Sequence, residues 1–331
     1  MSGRGRGGRE STNGPEKGLS IVLPVYNEQD NLEPLHARIT DALKDGGADY
    51  EVVYVDDGST DGSWRVLKEL AAGDPRVRLV RLRRNFGQTA ALAAGISYAR
   101  RAVVVTLDAD MQNDPMDIPR MVARLDDSCD VVAGWRRRRH DPWLTRRLPS
   151  RAANALIRWI TGVPLHDSGC TLRVYKHEII RDVNLFGEMH RFLPVLAAWV
   201  GARISELEVT HHPRTRGTSK YGPLRIFKVF IDLLTVKFIG DFSARPNYIF
   251  GGFGLANLGL GALAFLIVIW RALRGHVEAT PLIFVMVLFF ITGVLSLFIG
   301  FLAEIVIRGF YDAQRKPTYY VRETVGEDPE P

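Results

Sequence analysis

The residues best suited to chemistry in this 331-residue chain are carboxylates that follow short apolar runs. Glu28 lies in the turn after Leu19–Pro24, Asp56 and Asp57 end Tyr50–Val55, and Asp108 and Asp110 end Val103–Leu107. In extended chain Asp108 and Asp110 point the same way, about 7 Å apart by strand rise. At that distance they can share a hard divalent cation and the phosphates it carries. An Asp-x-Asp pair alone is equally at home in an ordinary polar loop. The companion acidic clusters single it out, because carboxylates brought to one place need a cation, sugar hydroxyls or base N–H groups to answer them.

The apolar runs are what must position these acids. β-Branched runs of this kind read as buried parallel strands. Helices fill the intervals, ending at Gly46-Gly47, near Leu70 and near Arg101. Alternation of strand and helix from Leu19 to Leu107 predicts an α/β fold with a mostly parallel sheet covered on both faces. All three acidic clusters then fall on its C-terminal edge, where open α/β sheets bind ligands. Further along, a helix near Asp117–Leu125, a strand at Asp130–Gly134, a helix near Ala152–Thr161, a strand at Thr171–Tyr175 and a strand within Ala202–Thr210 are expected. Neither a G-x-x-x-x-G-K-[ST] phosphate loop nor a G-x-G-x-x-G after the first strand is present, which argues against ATPases and dinucleotide oxidoreductases.

Composition divides the chain. Hydrophobic residues make up 46% and the mean hydropathy is −0.03, yet Ile249–Trp270 and Pro281–Ala303 hold no charged residue. Runs of about 20 apolar residues suffice to cross a bilayer, so residues 247–307 are expected to form two transmembrane helices. Before them, Leu224, Phe227, Ile231, Leu234 and Phe238 share one helical face and Arg225, Lys228 and Asp232 another, predicting an interfacial amphipathic helix within 223–246. Residues 1–17 are Gly/Arg-rich and read as a disordered tail without an apolar leader; 308–331 reads as a C-terminal tail. Basic residues flanking the spans predict that both termini and the catalytic domain are cytoplasmic, at the inner membrane. The net charge of +6 and pI near 9.4 suit a membrane surface or phosphorylated ligands. No nucleic-acid module accompanies the charge, so nucleic acid is not expected as a partner. Cys129 and Cys170 are too few for a disulfide framework.

Taken together, Leu23-Pro24-Val25-Tyr26-Asn27-Glu28, Val55-Asp56-Asp57-Gly58-Ser59-Thr60-Asp61-Gly62 and Leu107-Asp108-Ala109-Asp110-Met111-Gln112 resemble the family 2 glycosyltransferases of GT-A fold. His166-Asp167-Ser168-Gly169-Cys170, Gly187-Glu188-Met189-His190-Arg191-Phe192 and Arg214-x-x-Gly217-x-Ser219-Lys220-Tyr221 narrow the likeness to polyprenyl-phosphate glycosyltransferases, the group of dolichol-phosphate mannose synthases and their bacterial undecaprenyl-phosphate relatives. The resemblance spans about Leu19 to Tyr311 and assigns residues 18–222 to the catalytic domain.

The resemblance implies that Pro24, Tyr26, Glu28, Val55 and Asp57 hold the nucleotide and that Asp108 and Ala109 contact the donor sugar. It further implies that Asp110 and Gln112 ligate Mg²⁺ or Mn²⁺, and that Arg136, Arg146, Arg214 and Lys220 grip the acceptor phosphate and donor diphosphate. Guanidinium groups suit phosphate oxygens because they bind in bidentate fashion. Asp167 is expected to position the acceptor or act as a base, with a loop-holding role equally open. His166, His190, His211 and His212 read as packing or loop residues. The implied reaction is inverting transfer of a hexose from a nucleotide sugar, a UDP-hexose such as UDP-glucose being favoured, to undecaprenyl or decaprenyl phosphate. Alternatives are a GDP-mannose donor, a polysaccharide synthase of the same fold (whose Gln-x-x-Arg-Trp motif is missing) and a membrane-tethered nucleotide-sugar sensor without catalysis. Gly251, Gly252, Gly254, Gly259 and Gly261 suit close helix packing and make a homo-oligomer plausible.

Overall fold

The computed structural model describes residues 16–44, 47, 49–137, 148–181, 183, 185, 189–213, 247–274, 281–313 and 319–326. Arg146, Arg214, Lys220, the expected amphipathic segment 223–246 and most of the N-terminal tail lie outside them. The chain divides into two compact units, residues 1–232 with 318–331, and residues 233–317.

The first unit is built on strands β1 (Glu16–Val25), β2 (Tyr50–Asp56), β3 (Val77–Leu82), β4 (Arg101–Thr106), β5 (Val131–Trp135), β6 (Arg173–Lys176), β7 (Ile204–Glu208) and β8 (Val321–Val325). They form one sheet in the order β7-β5-β6-β4-β1-β2-β3-β8. The central run β4-β1-β2-β3 is parallel, with β6 and β8 antiparallel to their neighbours. Helices α1 (Gln29–Leu43), α2 (Ser63–Gly73) and α3 (Gln88–Tyr98) provide the crossovers between the parallel strands. Helices α4 (Ile118–Val122), α5 (Leu148–Thr161), α6 (His177–Ile180) and α7 (Leu193–Trp199) accompany the second half. The sequence expectation of a mostly parallel α/β sheet is met. β2 is buried along its whole length, as a strand covered on both faces must be.

Asp130 fastens the second half of the sheet. It stands just before β5 and accepts bonds from Lys176 Nζ at 2.7 Å, Arg203 Nε and Nη2 at 2.9 Å, and the Arg203 backbone N–H at 3.0 Å. One carboxylate thereby joins the ends of β5, β6 and β7. The Arg203 guanidinium, foremost, holds the Asp130 carboxyl well below the usual carboxylate range.

One element departs from the sequence expectation. Val321–Val325, read above as tail, is strand β8 and lies along β3. Its Val-Arg-Glu-Thr-Val sequence leaves Arg322 and Glu323 exposed, as charges on an edge strand commonly are.

The second unit consists of α8 (Asn247–Leu273) and α9 (Pro281–Ala313). Phe250–Leu273 and Pro281–Ala303 are long and apolar enough to cross a membrane, with mean hydropathies of 2.1 and 2.9. Large apolar side chains such as Phe253, Leu266, Phe284 and Phe298 are exposed on them. A Cβ on Gly254 would meet Gly293 O at 2.9 Å, and one on Gly293 would meet Leu258 Cγ at 2.8 Å. These contacts explain the small residues where the two helices touch. Gly251, Gly252 and Gly259 have no such neighbour within 4 Å. Asn257, polar in an apolar run, accepts from Thr292 Oγ1 at 3.1 Å and donates to Phe253 O at 2.8 Å.

Candidate active site

The parallel register sets the acidic clusters side by side. Pro24 pairs with Val55 and Val25 with Asp56 at the C-terminal ends of β1 and β2, while Leu107 N–H donates to Val22 O just past β4. The turn after β1 is then zipped to the loop after β2. Ser59 Oγ accepts from Asn27 N–H at 3.0 Å, Ser63 Oγ from Glu28 N–H at 2.9 Å, and Asn27 Oδ1 from Thr60 N–H at 2.8 Å. Asn27 adopts φ 57°, a left-handed conformation that asparagine tolerates better than most residues. Pro24, Tyr26 and Glu28 are half-buried along this edge; Val55 is wholly buried and offers its backbone.

Asp56 and Asp57 have separate tasks. Asp56 is fully buried, accepting from Ser59 N–H at 3.0 Å and Arg81 Nε at 3.1 Å. Asp57 is 3% exposed and spends its two oxygens on Phe86 N–H at 2.7 Å and Gly87 N–H at 2.9 Å. Burial pushes the Asp57 carboxyl upward, and those two amide donors oppose it. The loop 83–87 is therefore drawn onto the end of β2. Gly58 permits this: at φ 67° a Cβ there would lie 2.5 Å from the Arg84 carbonyl carbon.

After β4 the chain turns at Met111, whose φ of 61° is unusual for a long side chain and holds the Asp108–Gln112 segment in a tight bend. Asp110 Oδ1 accepts from Gln112 N–H at 3.2 Å. Asp108 Oδ1 accepts from Gln88 Nε2 at 2.7 Å. Burial first, then repulsion from Asp110, push the Asp108 carboxyl well above the usual carboxylate range. Beyond the bend, Gln112 O accepts from His212 N–H at 2.8 Å and lies 3.2 Å from His211 Nδ1. Asp114 is clamped by Arg38 Nε and Nη2 at 2.9 and 2.7 Å and by His212 Nε2 at 2.9 Å. Burial would raise the Asp114 carboxyl, but these partners outweigh it and hold it far below the ordinary range. His211 and His212 thus brace this loop, the loop role expected of them.

The other expected residues divide. Arg136 and Asp167 face each other as a bidentate pair, Nε to Oδ2 at 2.7 Å and Nη2 to Oδ1 at 2.9 Å, with Asp167 only 4% exposed. Gly169 N–H donates to Asp167 Oδ1 at 3.2 Å. Both Asp167 oxygens are thereby turned toward Arg136, whose side chain pairs through Nε and Nη2 and not through Nη1. His166, stacked on Trp135 with centroids 4.6 Å apart, has Nδ1 2.6 Å from Glu206 Oε2.

Two residues escaped the sequence reading. Gln88, at the start of α3, reaches Asp108. Arg173, in β6, is 3% exposed and donates to Ser168 O at 2.7 Å, His190 O at 2.8 Å and Arg191 O at 3.2 Å. With Pro24, Thr171 and His190 they line a small cavity beside Asp108. Arg173 had a legible signal, a lone charge inside the apolar run Thr171–Tyr175; Gln88 had none.

Among the described residues no three His, Cys, Asp or Glu side chains are grouped to hold a metal by themselves. Asp110 and Gln112 sit on one bend, joined by the Gln112 backbone N–H, and carboxylate and amide oxygens are donors of the kind a hard divalent cation takes together with phosphate oxygens.

Comparison with known proteins accords with this geometry. Residues 20–183 match glycosyl transferase family 2. The chain is 43% identical to a dodecaprenyl-phosphate galacturonate synthase of Rhizobium johnstonii, over 94% of this chain and 95% of that one. It is 39% identical to an undecaprenyl-phosphate 4-deoxy-4-formamido-L-arabinose transferase of Edwardsiella ictaluri, over 93% and 94%. Among solved structures, glucosyl-3-phosphoglycerate synthase of Mycobacterium tuberculosis, in complex with Mn²⁺, uridine diphosphate and phosphoglyceric acid, superposes with a TM-score of 0.52 at 20% identity, covering 69% of this chain and 81% of that one. Strand order, strand-end acids and full-length kinship agree: the chain is a GT-A enzyme that belongs to glycosyl transferase family 2, among its polyprenyl-phosphate glycosyltransferases.

Proposed function

We propose that the protein transfers a sugar from a nucleotide-sugar donor to a polyprenyl phosphate at a membrane surface, with inversion at the anomeric carbon. The observation that carries this reading is the convergence of Glu28, Asp57, Asp108 and Asp110 on one sheet edge in a chain related end to end to polyprenyl-phosphate transferases. Pro24, Tyr26, Glu28, Val55 and Asp57 hold the nucleotide, and Asp108 and Ala109 face the sugar. Asp110 and Gln112 hold Mg²⁺ or Mn²⁺, which when bound neutralises the donor diphosphate.

An oxygen of the acceptor phosphate attacks the anomeric carbon as the bond from that carbon to the diphosphate breaks, and the nucleoside diphosphate leaves. The acceptor is largely dianionic near neutral pH, its second pKa being about 6, so it needs no base to take a proton. The engagement of Asp167 with Arg136 suits that mechanism. Acceptor binding falls to Arg136, whose Nη1 is not used in its pair with Asp167, together with Arg146, Arg214 and Lys220. The donor is a UDP-sugar; kinship with a galacturonate synthase brings a hexuronate forward beside glucose as its sugar. The apolar pair α8 and α9 supports anchoring in the bilayer. Since β8 joins the catalytic sheet, both ends of that pair are assigned to one face of the membrane, the cytoplasmic one by the basic residues around them.

Radiolabelled transfer to polyprenyl phosphate in detergent tests this, with UDP-galacturonate, UDP-glucose, UDP-GlcNAc, UDP-galactose and GDP-mannose side by side. Lipid-extractable label from one donor, lost with chelator and in Asp110→Ala, is the expected result. Absence of transfer from every donor, in protein that binds nucleotide, sinks the acceptor assignment.

A further inference from the structure

We propose that Tyr319–Val325, the segment that follows the apolar helix pair, positions the nucleotide-sugar site by fixing the loop 83–87; this rests on the donor reading above. As a mere cover for the edge of β3, β8 would need only its ladder, Leu79 to Val325 through Leu82 to Val321. The contacts continue past the ladder, toward the site. Arg83 N–H donates to Tyr320 O at 2.9 Å, and Arg83 Nε to Val321 O at 3.3 Å. The Tyr320 ring lies against Phe86, centroids 6.1 Å apart, and Phe86 carries the Arg84 guanidinium on its ring at 4.3 Å. Tyr319 OH lies 2.6 Å from Ser97 Oγ on α3. Tyr320 thus holds the loop where it leaves β3, while Tyr319 ties the same segment to the C-terminal end of α3, the helix that follows the loop.

What the loop holds makes this consequential. Its Phe86 and Gly87 N–H groups occupy both oxygens of Asp57, and Gln88, next in chain, reaches Asp108. A second line runs from Glu323 to Arg81 at 3.3 Å and on to the buried Asp56 at 3.1 Å. The register shift in the β3–β8 pairing falls between Arg81 and Leu82, just where the loop begins. Such bulges re-aim the chain beyond them. The family match ends at residue 183, so this strap lies outside the part of the chain that defines the family.

The test uses the full chain in detergent, comparing the parent with Tyr320→Ala, Tyr320→Phe and Tyr319→Phe. Amide hydrogen exchange over residues 83–88 and titration with UDP in Mn²⁺ are the readouts, with the thermal midpoint as control. Tyr320→Ala is expected to speed exchange in that loop and weaken UDP binding about fivefold, the size of a lost aromatic pair. Tyr320→Phe, which keeps the ring, restores both, while polyprenyl-phosphate KM stays at the parent value. Unchanged exchange over 83–88 in Tyr320→Ala overturns the proposal, as does unchanged UDP affinity in protein that binds UDP. Exchange reads the loop whatever the donor, so a parent protein that binds no UDP sinks the donor reading and leaves exchange to decide the strap.

Discussion

Asp167 is the residue at which geometry narrows the chemistry most. A general base needs an oxygen turned toward its proton donor, and both Asp167 oxygens are turned toward Arg136. Asp167→Asn is therefore expected to lower stability by about 3 to 5 kcal/mol, the size of a broken buried pair. Its kcat against pH should keep the parent's shape. Thermal melting and a pH–rate profile check this; loss of kcat with an unmoved melting point would restore the base. Asp57 calls for a different substitution logic. Its carboxylate accepts from two backbone N–H groups, and an amide can accept from only one while turning its own N–H₂ toward the other. Asp57→Asn should cost about 1 to 3 kcal/mol and weaken nucleotide binding, read by calorimetric titration. At this scale the sequence was most legible where a charged residue ends an apolar run, as at Asp57, Asp108 and Asp110. It was least legible where a residue's task depends on a partner far along the chain. Gln88 meets Asp108 only because α3 and β4 return to the same edge, and nothing local marks that.

The sheet is held by elements of unequal visibility. β1 to β4 are apolar runs between helices and could be placed from the pattern alone, since strands buried on both faces show continuous hydrophobicity. β8 could not, because an edge strand buries little and its Arg322 and Glu323 resemble any polar tail. The antiparallel sense of β6 was equally hidden, since direction depends on a connection and not on a residue pattern. Asp130 shows how the second half compensates with charge: one carboxylate serves β5, β6 and β7. Because its folded pKa is depressed, its stabilisation is complete above the ordinary aspartate pKa of about 3.9 and is lost as pH falls below that toward the folded value. Asp130→Asn should thus lower stability by about 1 to 3 kcal/mol at neutral pH, and the gap from the parent should close in acid. Melting curves from pH 7 down to about 3 check both halves of that statement, the lower end lying below the reference pKa.

For the whole molecule, connectivity constrains topology more tightly than charge counting does. The chain leaves the catalytic unit, runs through α8 and α9, and returns to place β8 on the edge of β3. A strand cannot hydrogen-bond to a sheet on the other side of a bilayer, so the segments before α8 and after α9 must share a side. If each helix crosses the bilayer once, residues 275–280 are expected on the opposite face. Cysteine labelling can read this because the native thiols give little background. Cys129 and Cys170 are buried, and burial raises both thiols, Cys170 to about 11, so thiolate is scarce at neutral pH. Thr280→Cys and Arg322→Cys are then the informative pair in intact cells treated with a membrane-impermeant maleimide. Thr280→Cys should label from outside, and Arg322→Cys only after the cells are permeabilised. External labelling of Arg322→Cys would put β8 and the catalytic sheet on the outer face, away from a cytoplasmic nucleotide-sugar supply. Protection of both would mean that α8 and α9 do not cross, leaving the site to meet polyprenyl phosphate from a helix pair lying in the membrane surface.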